Sequence, residues 1–228
     1  MKKQMTLTIL ALSFVLSAAQ FTFAQDQPID DFTTGNLQPV SVKSGSQAKI
    51  LTGNMLGGSR DVTMFVCDPK TKGDCTARNP YNQPSSFGFL PAKGGQPAAM
   101  VQTGGYFAPP RIDMWYGLQT PMNADFSGYQ KIRVSFSGLT QPLNFNIQAH
   151  TGGPYAQGGC NISPYAGAFS VELPLNLFAL TQGFSFADVT AMDVIFQDGS
   201  AIGGVSFGIT SIVLTNTTAS GVVIDCHY

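Results

Sequence analysis

The chain has 228 residues and a net charge of −1, and only 11% of its residues are charged, against about a quarter in an average soluble domain. It has no basic surplus to hold a phosphate backbone, so nucleic acid is not an expected partner. With 43% hydrophobic residues and 25 glycines, the polar surface must come from Ser, Thr, Asn and Gln, a composition that suits an exported β-rich domain.

Residues 1–24 read as a Sec-type signal peptide. Lys2 and Lys3 are positive, Leu7 to Leu16 is an uncharged apolar run, and Thr22-Phe23-Ala24 fits cleavage after Ala24. Ser17-Ala18-Ala19 offers an earlier site. Cleavage after Ala24 removes two lysines and no acid, leaving ten basic against thirteen acidic residues, a net of −3. The apolar run is too short for an anchor, and no later run is long enough for a transmembrane helix. The expectation is a secreted or periplasmic protein, not an integral membrane one, with residues 25–228 as a single domain.

In chain order, IDDFTTGN opens the mature part and Val40 to Leu51 reads as strand. Gly57-Gly58 punctuates MLGGSRDVTMFV, where Val62, Met64 and Val66 share one strand face and Asp61, Thr63 and Phe65 the other. Residues 67–98 are irregular, with a short strand near Ser86 to Leu90. Ala98 to Thr103 and Arg111 to Leu118 follow as strands. Lys131 to His150 gives two more. Ile132, Val134 and Phe136 point inward in the first, and Leu143, Phe145, Ile147 and Ala149 in the second. TGGPYAQGGCNISPYAG reads as a long Gly-rich loop. Phe169, Val171 and Leu173 mark the next strand, and a helical turn is expected near Leu177 to Leu180. Three strands close the chain. Roughly ten short strands at turn-punctuated spacing, with no long helix, predict an all-β fold: an antiparallel two-sheet β-sandwich or barrel, with the jelly-roll sandwich preferred. The shortness of the strands and the frequent prolines argue against an outer-membrane barrel.

Four cysteines, Cys67, Cys75, Cys160 and Cys226, are an even count in an exported chain and favour disulfides. Sequence alone leaves three connectivities open; Cys67–Cys75 with Cys160–Cys226 is the preferred set. Zinc is unsupported, since there is no CxxC pair and the histidines are only His150 and His227.

IDDF, MLGGSRDV, FSGYQKIRVSFSG and DVIFQDGSAIGGVSFGITSIVL, spread over about residues 29–215, resemble a group of exported bacterial jelly-roll proteins. That group is similar in layout to carbohydrate-binding modules with the galactose-binding-like sandwich. The resemblance implies that Gly57, Gly58, Arg60 and Asp61 mark the fold. It also implies a structural calcium between the first and last strands, for which Asp30 or Asp31 with Asp225 would be the oxygen ligands. Otherwise no cofactor is expected. The relatives' C-terminal sorting tail has no counterpart in the ending CHY, so surface anchoring is not implied.

The candidate ligand face is the polar row Asn144, Asn146, Gln148 and His150, whose amides offer donors and acceptors suited to sugar hydroxyls. Trp115, the sole tryptophan, and Tyr116 are the candidate stacking aromatics. Neighbours on a strand face opposite ways, so only one of them can join the row. Tyr155 and Tyr165 are candidate rim residues. Glycoside hydrolysis needs two placed carboxylates; the single glutamate, Glu172, with Asp113, Asp193 or Asp198 forms no pair by spacing. No Gly-x-Ser-x-Gly elbow is present, and Ser59 reads as a turn residue. Arg60 is expected to make a buried ion pair with an acid such as Asp31. The preferred function is a non-catalytic binding protein for carbohydrate. The alternative is a structural or matrix-interaction protein without a small ligand, and a hydrolase-like enzyme ranks third.

Overall fold

The computed structural model describes residues 26–66, 84–90, 99–102, 111–198 and 204–225. The leader, Cys67, Cys75, Cys226, His227 and the loop 68–74 lie outside the described residues. The strands are β1 (Gln27–Asp30), β2 (Leu37–Val42), β3 (Gly45–Thr52), β4 (Ser59–Val66) and β5 (Ser85–Phe89). Next come β6 (Ala99–Gln102), β7 (Arg111–Tyr116), β8 (Lys131–Leu139), β9 (Leu143–His150) and β10 (Tyr155–Ile162). The chain continues with β11 (Phe169–Pro174), β12 (Ala179–Leu180), β13 (Ala191–Asp198), β14 (Ser206–Thr215) and β15 (Val223–Asp225).

They form two sheets. The first runs β15-β11-β8-β14-β6-β5-β2, with β1 also on β14, and the second runs β12-β10-β9-β13-β7-β4-β3. Comparing the two orders reveals the topology. Consecutive strand pairs β10/β11, β8/β9, β13/β14, β6/β7, β4/β5 and β2/β3 occupy matching places in opposite sheets. The chain is therefore a ladder of two-strand rungs wrapped around one core, which is a jelly roll. Among the described strands all pairings are antiparallel except β11 with β15, which is parallel.

Alternation explains why these segments bury one face. Val62, Met64, Ile132, Val134, Phe145, Ile147, Ala149, Val171 and Leu173 are all fully buried, as their period-2 pattern requires. Between the sheets Phe136 stacks on Phe169 at 4.8 Å and meets Phe145 and Phe196 edge-on. No helix among the described residues is long and apolar enough to cross a membrane. The helical elements are single turns at Leu175–Leu177 and Phe186–Asp188.

Three readings that bear on the fold need correction. The Gly-rich stretch read as a loop contains strand β10, paired with β9 over its full length. Its small residues serve close approach rather than flexibility. A Cβ on Gly158 would lie 2.5 Å from the Phe178 ring, and one on Gly159 would lie 2.4 Å from the Phe145 carbonyl oxygen. The segment read as one strand from Val40 to Leu51 is two strands, β2 and β3, which belong to different sheets.

The third correction concerns Arg60, which pairs with Asp30 and not Asp31. A bulge in β1 between Pro28 and Asp30 breaks the alternation, so that Ile29 and Asp30 are both buried. Asp31 instead accepts from the Thr33 amide and hydroxyl. The Asp30 carboxylate also accepts from the Phe32 amide at 2.7 Å and the Tyr116 hydroxyl at 2.9 Å. Arg60 donates further to the carbonyls of Thr34 and Gly35, and its guanidinium lies over the rings of Phe32 and Phe89, which stack on each other. Gly35 has φ +68°, and a Cβ there would crowd the guanidinium, so both its conformation and its size are required. One buried cluster thereby fastens β1, β4, β5 and β7.

Cys160 points inward from β10 at 6% exposure and is disulfide-bonded; its partner lies outside the described residues.

Candidate functional site

The outward positions of the second sheet come into rows through strand register. His150 lies opposite Tyr155 on one side and Ala191 on the other. Gln148 lies between Gln157 and Asp193, and Asp193 in turn faces Trp115, which faces Asp61. Asn146 lies between Gly159 and Ile195, and Asn144 between Asn161 and Gln197.

The predicted row is thus on one face, and Trp115 is the aromatic that joins it. Its ring centroid is 5.1 Å from that of His150, which lies 5.8 Å from Tyr155. Tyr116 takes the opposite face. It is fully buried, hydrogen-bonded to Asp30, and burial pushes its hydroxyl well above the usual phenol range. It is therefore corrected from candidate ligand contact to core residue. Tyr165 is exposed, but it bridges to Leu139 at the end of β8 in the first sheet and packs edge-on against Phe169, so it is not brought to this row.

A groove of about 510 Å³ opens where β9, β10 and β12 meet. Asn144, Asn146, Gln157 and Asn161 supply amides, Gly159 keeps the floor low, and Tyr155, Leu177 and Leu180 give an apolar wall. Those three wall residues are exposed. The amides are ordered across the strands. Asn144 donates to Asn161 at 3.1 Å, and Gln148 donates to Gln157 at 3.1 Å. Each such bond uses one donor and one acceptor, and an amide pair has further capacity on both sides. Asn146 Oδ1 is buried without a protein partner. Gln148, His150 and Trp115 continue the same face beside the groove.

Sequence reasoning missed Gln157 and Asn161 because they sit among glycines in a segment that looked like a loop. It also missed that Asp113 and Asp193 come close on this face. Asp193 is 1% exposed, in the buried run Met192–Phe196. Its carboxyl is pushed up to about 8, first by burial and then by the neighbouring Asp113 charge, with Arg111 opposing. The detectable signal was an acid in the middle of an apolar strand. Asp113 is held by Arg111 at 2.6 Å. Burial keeps the His150 imidazole below its ordinary range, so it is neutral at pH 7.

The other candidates have structural partners. Burial raises the Glu172 carboxyl, but hydrogen bonds from Lys131, Arg133 and the Ala219 amide outweigh that and hold it below the usual range. It is ionised on the outer face of the first sheet, unsuited to act as a general acid. Ser59 is buried at the start of β4. Asp30 is committed to Arg60, Tyr116 and the Phe32 amide, which leaves it a poor calcium ligand; the Asp225 side chain is outside the description. Among the described residues, no group of three or more His, Cys, Asp or Glu side chains is placed to hold a metal.

No family model and no curated protein matches the chain. Among solved structures it is similar to the family 11 carbohydrate-binding module of the cellulosomal cellulase Lic26A-Cel5E of Clostridium thermocellum. The identity is 14% and the TM-score 0.40, over 90% of this chain and 99% of that one. A carbohydrate-binding module of family 28, specific for non-crystalline cellulose, aligns with 14% identity and a TM-score of 0.38, over 55% and 78%. An exo-β-agarase aligns with 8% identity and a TM-score of 0.34, over 86% of this chain and 26% of that one. The chain's own strand order defines it as a jelly-roll β-sandwich, and its outer sheet face carries a grooved, amide-rich surface.

Proposed function

We propose that this is an exported, non-catalytic protein that binds carbohydrate in the groove over β9, β10 and β12. The observation that carries the reading is the make-up of that groove. Uncharged amides line it from two strands, and an exposed tyrosine and two leucines form its wall. Sugars present hydroxyls that need both donors and acceptors, which amides supply. They also present apolar C–H faces that pack on an aromatic ring. The leader-like residues 1–24 and the low charge support export. A Cys160–Cys226 disulfide, which would tie the segment after β15 to β10, belongs to the same reading.

The test is affinity electrophoresis of the purified protein through gels containing soluble neutral polysaccharides, followed by calorimetry on any that retard it. Tyr155→Ala is expected to weaken binding at least about tenfold, a loss of about 1.4 kcal/mol. Absence of retardation by every polysaccharide, with no binding of oligosaccharides at millimolar concentration, would overturn the reading.

A further inference from the structure

Trp115 and His150 stand on β7 and β9, the two strands that flank β13. Two strand spacings are about 9.6 Å, yet the ring centroids are 5.1 Å apart. The rings therefore lean toward each other across β13. The outward residues of β13 at this level are Ala191, opposite His150, and Asp193, opposite Trp115. Ala191 leaves room for the rings, and Asp193, the outward residue paired with Trp115, is covered at this level of the sheet: it is 1% exposed, with Oδ1 lacking any hydrogen-bond partner.

The charged and titratable groups around it are few. From β7 come Asp113 and Arg111, already bonded to each other at 2.6 Å. From β9 comes His150, with Gln148 and Asn146 uncharged. From β4 comes Asp61, which accepts from Gln119 at 2.9 Å. Tyr155 on β10 lies beyond His150. The one nearby cation, Arg111, is hydrogen-bonded to Asp113; it also attracts an ionised Asp193, but burial and the Asp113 charge outweigh that attraction.

We infer that Asp193 is a proton-dependent positioning residue for Trp115: protonated, it stays covered with the Trp115–His150 bridge closed, and ionised, it draws in water and opens the bridge. The raised affinity of this carboxyl for its proton, to about 8, puts the change on the alkaline side of neutrality. The inference needs no ligand and does not depend on the carbohydrate reading.

Trp115 is the only tryptophan among seven tyrosines, so fluorescence excited at the red edge, beyond tyrosine absorption, reports on it alone. The purified protein is titrated from pH 6.5 to 9.5 with circular dichroism recorded in parallel. The expected result is a red shift and roughly a doubling of acrylamide quenching, with a midpoint near 8 and unchanged circular dichroism. Asp193→Asn removes the step. Asp113→Asn, which removes a like charge and frees Arg111, moves the midpoint down by about one unit or more, and serves if Asp193→Asn does not fold. A flat wild-type profile, an unchanged step in Asp193→Asn, an unmoved midpoint in Asp113→Asn, or a step that coincides with global unfolding would each overturn the inference.

Discussion

Arg60→Ala is the most direct test of how the sandwich is held together. In the native protein the guanidinium is fully buried. It pairs with Asp30 and donates to the Thr34 and Gly35 carbonyls at 3.2 and 2.9 Å. It also lies 4.1 Å from the Phe89 ring centroid and 4.9 Å from that of Phe32. Truncation leaves Asp30 buried without its counter-charge, and breaking a buried pair from one side costs about 3–5 kcal/mol. For a domain of this size each 1 kcal/mol moves the melting temperature by about 2–4 °C, so the expected drop is roughly 6–20 °C by differential scanning calorimetry. Burial already raises the Asp30 carboxyl against the pull of Arg60. The variant should therefore take up a proton there and regain part of its stability as the pH is lowered. The double variant Asp30→Asn/Arg60→Met should be more stable than Arg60→Ala, since the unpaired charge is gone. A drop below 2 °C for Arg60→Ala, or a double variant no more stable than the single one, would refute the reasoning.

Gly158→Ala should destabilise by about 1–3 kcal/mol, measured by urea unfolding, because the added methyl meets the Phe178 ring at 2.5 Å. Gly159→Ala should push β10 away from β9 and displace Asn146, because the new Cβ meets the Phe145 carbonyl oxygen at 2.4 Å and the Asn146 amide nitrogen at 2.9 Å; lower stability together with weaker polysaccharide retardation is the readout. Asp193 gives stability a definite sign with pH. Its folded value of about 8 lies above the unfolded value of about 3.8, so the folded state holds the proton more tightly. That contribution is full below about pH 4 and is lost as pH rises to 8. Asp193→Asn should accordingly be about as stable as wild type near pH 4 and more stable by a few kcal/mol at pH 9, as checked by denaturant melts at both values.

The alternation that sequence reading relies on is a local property, and it placed what depends on it. The inward residues of β4, β8, β9 and β11 were all named from period 2, and so was the outward row Asn144 to His150. The choice between Trp115 and Tyr116 was not local. Alternation says that they part, but which one enters the core depends on where Asp30 and Arg60 lie, far away in the chain. That Arg60 pairs with Asp30 and not with Asp31 follows from a bulge in β1 that leaves both Ile29 and Asp30 buried, and a bulge is fixed by its partner strand β14.

Composition misled in β10. Glycines usually signal a turn, but here Gly158 and Gly159 sit inside a strand because Phe178 approaches one face and β9 presses on the other. That closeness arises only after β10, β9 and the segment following β11 have packed, and with it went the amides Gln157 and Asn161. The Asp113–Asp193 pair was hidden for the same reason: eighty residues separate two side chains that β-pairing makes neighbours.

The sequence by itself determined a β-rich chain with one apolar face per strand, because side-chain direction along a strand is set residue by residue. Only the tertiary structure decided the order of the rungs, the groove between β9, β10 and β12, and the burial of the Asp193 carboxyl opposite Trp115. Those depend on which strands lie side by side, and that is a contest among distant contacts over a common core.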